Sequence, residues 1–373
     1  MTQQPKMIHV AEPDLSTLEK NYINEAFDSG WISSTGPFVQ RFETEWAEIC
    51  HSTYSLSVAN GTVALHLILA ALGIGPGDEV IVPSLTFIAS ANAVTYVGAK
   101  PIFADSHRDT WCIDPKSVEN LITPNTKAIM AVHLYGNPSD VRALEQLCKK
   151  NRIHLIEDAA EAPYGAIDGK RIGSFGIAAS FSFYGNKVIT SGEGGAVTTS
   201  NQELYEKMKL LRGQGMDPNR RYFFTEIGFN FRLTNMQSAL LCAQLERADE
   251  MLESRYRIYE VYNEYLSQSS RLEFQKSLPG HLTSPWLYSF LIKDSTIEAR
   301  DRLIQTLYTR GIETRPLFIP IHKLPPYFSQ DHQELPTADL LGRTGLSLPT
   351  SSKLPIETVK YIALETLKAL ESQ

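Results

Sequence analysis

Apolar and polar positions along this chain fall into blocks that switch between a helical and an extended period. Over residues 14–27, Leu15, Leu18, Tyr22 and Ala26 recur at helical spacing, which predicts an amphipathic helix. The turn-rich stretch from Ser29 to Pro37 ends it, and a second helix is expected around residues 42–49. Short apolar runs then predict strands at 54–58, 79–82, 101–104, 128–132 and 154–156. Helical patterns lie between them at 63–72, near 114–121 and near 141–150. Strands separated by helices imply right-handed crossovers, hence an α/β fold with a mainly parallel central sheet. Another strand opens at Ser180, with Phe181 and Phe183 on one face and Ser182 on the other.

Beyond Gly195-Ala196-Val197 the pattern predicts a helix around 204–211 and one long, bent helix from 234 to about 266. A strand at 286–292, a helix at 296–309 ending at Gly311, a short strand at 312–316 and a last helix at 356–370 complete the chain. The simplest partition is a large domain over residues 1–250 and a smaller α+β domain over 251–373.

Composition narrows the class. The 373 residues are 43% apolar and 21% charged, as in ordinary globular proteins with ample core. A net charge of −7 argues against non-specific nucleic-acid binding. Cys50, Cys112, Cys148 and Cys242 are scattered without a CxxC pair, which argues against a structural metal site and fits a reducing, cytoplasmic setting. No stretch reads as a signal peptide or a membrane span.

Candidate chemistry follows from the sheet. In such folds ligands lie off the carboxyl ends of the strands, and Phe87, Asp158 and Lys187 each fall just past one. These three converge on one crevice by topology alone. The strand, turn and helix around Asn60-Gly61-Thr62 aim free backbone N–H groups at the turn, a ready site for phosphate. A lysine beside a carboxylate from a neighbouring strand end suits pyridoxal phosphate: the lysine links to the aldehyde and the carboxylate keeps the pyridine nitrogen protonated.

The motifs His154-Leu155-Ile156-Glu157-Asp158-Ala159-Ala160-Glu161-Ala162 and Ser180-Phe181-Ser182-Phe183-Tyr184-Gly185-Asn186-Lys187, with Ser191-Gly192-Glu193-Gly194-Gly195, resemble the DegT/DnrJ/EryC1/StrS sugar aminotransferases of the aspartate-aminotransferase superfamily. The likeness runs from Trp31 to Pro349. The stretches Tyr184–Lys187 and Gly213-Gln214-Gly215-Met216-Asp217-Pro218-Asn219-Arg220-Arg221-Tyr222 narrow it to the branch that aminates a GDP-linked 4-keto-6-deoxy sugar. The resemblance implies pyridoxal 5′-phosphate as cofactor, L-glutamate as amino donor and a nucleotide-linked keto sugar as acceptor. It implies that Gly61, Thr62, Ser182 and Asn186 grip the cofactor phosphate and that Phe87 stacks on its ring. Glu161 falls at the position beside the phenolic oxygen, and Asn230 completes the phosphate site of a partner in a homodimer with shared active sites. Trp31, Ser33, Arg220, Arg221 and His322 are its substrate-side candidates.

Glu161 departs from the broader family, which mostly has glutamine there; a carboxylate facing that oxygen must be protonated or turned to another donor. Three rival readings stand beside the main one. Another nucleotide or sugar would leave the chemistry intact. Sugar dehydratases of the family replace the lysine by histidine, and Lys187 argues against them. A non-catalytic, cofactor-binding regulator would have no need of Lys187, Asp158, Ser182 and Asn230 together.

Overall fold

The computed structural model describes residues 7–329 and 334–372. A seven-stranded sheet organises it, in the spatial order Tyr54–Val58, Gly195–Thr199, Ala178–Ser182, His154–Asp158, Thr126–Val132, Glu79–Pro83, Lys100–Ala104. The pairings from Ala178–Ser182 across to Lys100–Ala104 are all parallel. Gly195–Thr199 instead runs antiparallel to both its neighbours. It can do so because residues 183–194 return the chain as a loop without a crossover helix. Most strand positions are buried on both faces, which is why the strands read as continuous apolar runs.

Helices begin where polar caps allow. The helix Gly61–Ala71 starts two residues before the apolar run suggests, because Asn60 accepts the Val63 N–H at 3.0 Å. The helix Ala89–Tyr96 has no side-chain cap and carried no sequence signal. The long helix expected from residue 234 divides into Asn235–Glu246 and Ala248–Leu266. Arg247 sits at the junction, where its guanidinium is held by Asp14 (2.9 Å) and Glu19 (2.6 Å).

Aromatic packing fixes the strand that leads to Lys187. Trp46, fully buried on the helix Pro37–Ile49, meets Phe181 and Phe183 edge-on at 5.0 and 5.2 Å. Phe42 adds a second edge contact to Phe183 at 5.5 Å. Each such pair contributes about 1 kcal/mol beyond its buried area.

A second, antiparallel sheet has the order Leu272–Phe274, Tyr288–Ile292, Gly345–Leu348, Arg315–Pro316. The helices Ala248–Leu266, Ile297–Thr309 and Ile356–Glu371 cover it, enclosing a separate core around Tyr262, Phe290, Leu303, Leu346 and Ile362. The segment that leaves this sheet at Pro316 runs back over the carboxyl edge of the main one: the Ile321 N–H donates to the Ser84 carbonyl at 2.8 Å.

Candidate active site

Asp158 closes the strand His154–Asp158 and is buried. One oxygen accepts the Ser90 Oγ–H at 2.8 Å and the other the Ala160 N–H at 3.2 Å. Ser90 rides on the otherwise signal-free helix Ala89–Tyr96, so that helix orients the carboxylate. Glu161, three residues on, accepts the Tyr135 N–H at 2.7 Å. Lys187 follows the Ala178–Ser182 strand through a turn closed by its own N–H to the Tyr184 carbonyl at 2.9 Å.

These three side chains share one electrostatic environment. Burial lowers the proton affinity of Lys187; the carboxylates of Glu161 and Asp158 oppose that, and Arg315 adds to it. Burial pushes Glu161 up from an ordinary 4.5 to about 7; Lys187 and the Tyr135 N–H pull it down, and Asp158 pushes it further up.

Aromatic rings wall the crevice. Phe87, more than half exposed, lies 5.9 Å from Phe318. Phe318 stacks on Tyr135 at 5.4 Å, and Tyr135 stacks on Trp286 at 6.1 Å. The Tyr135 hydroxyl accepts the Phe318 N–H at 3.0 Å, and burial raises the phenol well above its ordinary range. Gly136 allows this wall to form: a Cβ there would sit 1.9 Å from the Ser284 carbonyl oxygen, at a positive φ of 88°.

At the other end, the helix Gly61–Ala71 points its first N–H groups, which have no partner inside the helix, toward the end of the neighbouring strand. A Cβ on Gly61 would approach the Ser182 Cβ to 2.9 Å, so glycine lets backbone and strand end close together. Thr62 and Ser182 are half-buried beside this turn. Asn186 Oδ1 is buried and has no hydrogen-bond partner among the described residues. The candidates Gly61, Thr62, Ser182, Asn186, Lys187, Asp158 and Glu161 thus share one end of the sheet.

A family model for the DegT/DnrJ/EryC1/StrS aminotransferases matches residues 13–367. The chain belongs to this aminotransferase family. It is 46% identical over 364 residues to the GDP-perosamine synthase of Caulobacter vibrioides, covering 95% of each chain. It is 45% identical over 357 residues to the GDP-perosamine synthase of Escherichia coli O157:H7, covering 96% of this chain and 97% of that one. Spr1654 from Streptococcus pneumoniae, a candidate sugar aminotransferase seen in its PLP form, superposes with a TM-score of 0.94 at 28% identity, over 98% of this chain and 99% of that one.

The remaining candidates make their contacts elsewhere. Trp31 and Ser33 are exposed, and their carbonyls accept from Asn235, its Nδ2–H at 2.7 Å and its backbone N–H at 2.6 Å. Arg220 and Arg221 are exposed on a loop and stack over Phe223 and Tyr222. Asn230 is exposed and accepts from Arg232 Nη2 at 3.1 Å. His322 is buried, with Nδ1 2.7 Å from Ser84 Oγ and Nε2 3.3 Å from Asp339. Among the described residues no His, Cys, Asp and Glu group is arranged to hold a metal ion, and no helix is long and apolar enough to cross a membrane.

Sequence reasoning missed Ser90, Tyr135, Trp286 and Arg315. Tyr135 had a usable signal, since it lies just past the Thr126–Val132 strand end. Trp286 precedes a strand of the other sheet and had none.

Proposed function

We infer that this member of the family is a pyridoxal 5′-phosphate-dependent aminotransferase that moves the amino group of L-glutamate to a nucleotide-linked keto sugar, GDP-4-keto-6-deoxy-D-mannose, and so forms GDP-perosamine. The observation that carries the chemistry is Lys187 held beside Asp158 and Glu161 under an aromatic wall. The choice of sugar rests on the two GDP-perosamine synthases, which match nearly end to end.

The residues fit the cofactor. Gly61 leaves room beside Ser182 for backbone N–H groups to meet a phosphate, and the half-buried Thr62 and Ser182 beside that turn carry hydroxyls able to donate to it. Asp158, already oriented by Ser90, is the counter-charge for a protonated pyridine nitrogen. Phe87 stands at the crevice mouth for the ring face. When bound, pyridoxal phosphate supplies an electron-accepting ring that makes the proton on the donor's α-carbon removable.

The protein's own groups do the rest. Lys187 Nζ, its proton affinity lowered by burial, takes that proton and hands it on; a positioned base of this kind contributes roughly 10²–10⁴-fold. Glu161, pushed up to about 7, can present a proton to the ring's phenolic oxygen rather than a second negative charge. The rings of Tyr135, Trp286 and Phe318 keep bulk water away from the amine.

The same reading includes a homodimer in which Asn230 reaches the neighbour's phosphate site. Asn230 lies between Phe229 and Phe231, stacked at 4.5 Å, on a segment whose Phe224 and Ile227 are 53% and 94% exposed. Exposed apolar surface of this kind supports a contact with a second copy. It also includes two domains, 1–250 and 251–373, supported by the separate core under the small sheet, and a cytoplasmic setting, in keeping with four free, buried cysteines. Trp31, Ser33, Arg220, Arg221 and His322 remain its substrate-side residues.

The test is incubation with L-glutamate and a panel of GDP- and dTDP-linked keto sugars, read by product mass. Amination of the GDP-4-keto sugar is expected. No change in the visible absorbance of the protein on adding L-glutamate would refute the aminotransferase reading; amination of only a dTDP sugar would refute the choice of nucleotide.

A further inference from the structure

Lys187 has a neighbour that the chemistry above uses only to exclude water. Its Nζ lies 3.9 Å from the centre of the Trp286 ring. The same indole donates its Nε1–H to the Asn186 carbonyl at 2.8 Å, one residue before the lysine. One side chain therefore grips both the backbone that presents the lysine and the amine at its tip.

Trp286 is itself firmly placed. It is 3% exposed, and its ring stacks on Tyr135 with the planes 13° apart. Its carbonyl accepts from Thr350 Oγ1 at 2.5 Å and from Arg255 Nη1 at 3.2 Å. Arg255 is 1% exposed on the helix Ala248–Leu266, and the hydrogen bonds of its guanidinium go to the main-chain carbonyls of Pro285 and Trp286. A rotamer held by this many contacts costs little further entropy when the amine settles on it.

We propose that Trp286 is a positioning residue for Lys187: its indole face seats the lysine amine whenever that amine is free, while its Nε1–H holds the Asn186 carbonyl and so the approach of the lysine stem. The face of an indole carries the negative end of the ring quadrupole and attracts an ammonium, most strongly where water is excluded. It therefore favours the protonated amine. Asp158 and Glu161 favour it too, and Arg315 and burial oppose it. Tyr135, stacked on the far side of the indole, keeps its phenol neutral and adds no charge. Without the seat, the amine both loses a stabiliser of its charged form and becomes free to leave the crevice.

The inference concerns the free amine, so its test needs no turnover. The full-length protein, treated with hydroxylamine and dialysed to remove any bound aldehyde, is pulsed with acetic anhydride at a series of pH values, and acetylation of Lys187 is read by peptide mass. Trp286→Leu removes the aromatic face and shifts the profile to lower pH, with Lys187 acetylated roughly three- to tenfold faster near neutrality. Trp286→Phe keeps a face but loses the Nε1–H to the Asn186 carbonyl, so its profile falls between those of the parent and Leu. Replacing the four tryptophans by fluorinated tryptophan weakens the ring quadrupole without changing its shape, and only Trp286 lies over Lys187. The fluorinated protein gives a graded rise in the same direction, and it decides the matter if Trp286→Leu does not fold. A fluorinated protein that titrates like the parent, or a Phe variant that behaves like Leu, overturns the proposal. Whether Lys187 is the lysine that carries the cofactor is tested separately, by borohydride reduction and peptide mapping of the parent protein. Either result can fail without the other.

Discussion

Replacing Glu161 by glutamine isolates the charge at the most unusual position of the site. The carboxyl is 4% exposed, and burial lifts it from an ordinary 4.5 to about 7. That gap corresponds to about 3 kcal/mol of differential stability between its two protonation states. The folded-state value is the higher one, so the native state binds this proton more tightly than the unfolded chain does. The stabilisation is complete below about pH 4.5 and is lost as pH rises through about 7. Glutamine keeps an oxygen for the Tyr135 N–H, now at 2.7 Å, and has nothing to titrate. The attraction of Lys187 is already contained in the value near 7, because at pH 5 both proteins present a neutral group to the amine.

The assay is denaturant unfolding of the cofactor-free full chain at pH 5 and pH 8. The parent protein loses more stability across this interval than Glu161→Gln, by up to about 3 kcal/mol. In a thermal scan the difference amounts to several degrees in Tm. Parallel losses in the two proteins would show that Glu161 ionises freely, and would remove the argument that it offers a proton to the ring's oxygen.

Three further outcomes follow from the same geometry. Asp158→Asn keeps the Ser90 and Ala160 contacts in shape but loses the negative charge, so cofactor binds, by absorbance, while turnover falls by several powers of ten at about 1.4 kcal/mol each; near-normal turnover would make Asp158 a structural residue. Gly61→Ala places a methyl 2.9 Å from the Ser182 Cβ, so affinity for pyridoxal phosphate drops at least about tenfold in an equilibrium titration while the far-ultraviolet spectrum is unchanged; unaltered affinity would move the phosphate site elsewhere. Lys187→Ala and Asn230→Ala protomers, each inactive alone, regain activity when mixed, because one shared site receives both lesions and the other neither; demonstrably mixed dimers without recovery would refute the shared site.

The sheet and the crevice were largely legible because a parallel strand announces itself twice, by an apolar run and by the helix that follows. Asp158 and Lys187 could be placed from strand ends alone. The direction of Gly195–Thr199 was harder, since alternation carries no sign; the clue was the missing crossover helix in residues 183–194. The helix Ala89–Tyr96 escaped because it has no capping side chain and mixes Ser, Asn, Val and Thr, which hold weak helical preferences. With it went Ser90, the donor to Asp158. The break at Arg247 was invisible in the periodicity, because the helices on either side continue at helical spacing and the clamp comes from Asp14 and Glu19, more than two hundred residues away. Trp286 belongs to the last third of the chain and reaches the site only through tertiary docking.

That docking has a definite place. Four loops at the carboxyl ends of the main sheet each hold one piece of the returning chain. Ser84, after Glu79–Pro83, accepts the Ile321 N–H at 2.8 Å and meets His322 at 2.7 Å. Asp105, after Lys100–Ala104, accepts the N–H groups of Thr337 and Ala338 at 3.1 and 2.8 Å, and so caps a helix, Pro336–Thr344, that has no cap of its own. Tyr135, after Thr126–Val132, takes the Phe318 N–H, and Asn186, after Ala178–Ser182, takes the Trp286 indole. Three of these four strand ends, those before Ser84, Tyr135 and Asn186, also carry residues of the crevice. Hydrogen bonds of this sort contribute about 1 kcal/mol each, so the set is worth only a few kcal/mol against a core many times larger. Trp286, Leu317 and Ile321 are buried in that same core, so apolar packing rather than hydrogen bonding holds most of the wall in place, and the bonds set where along the rim it sits.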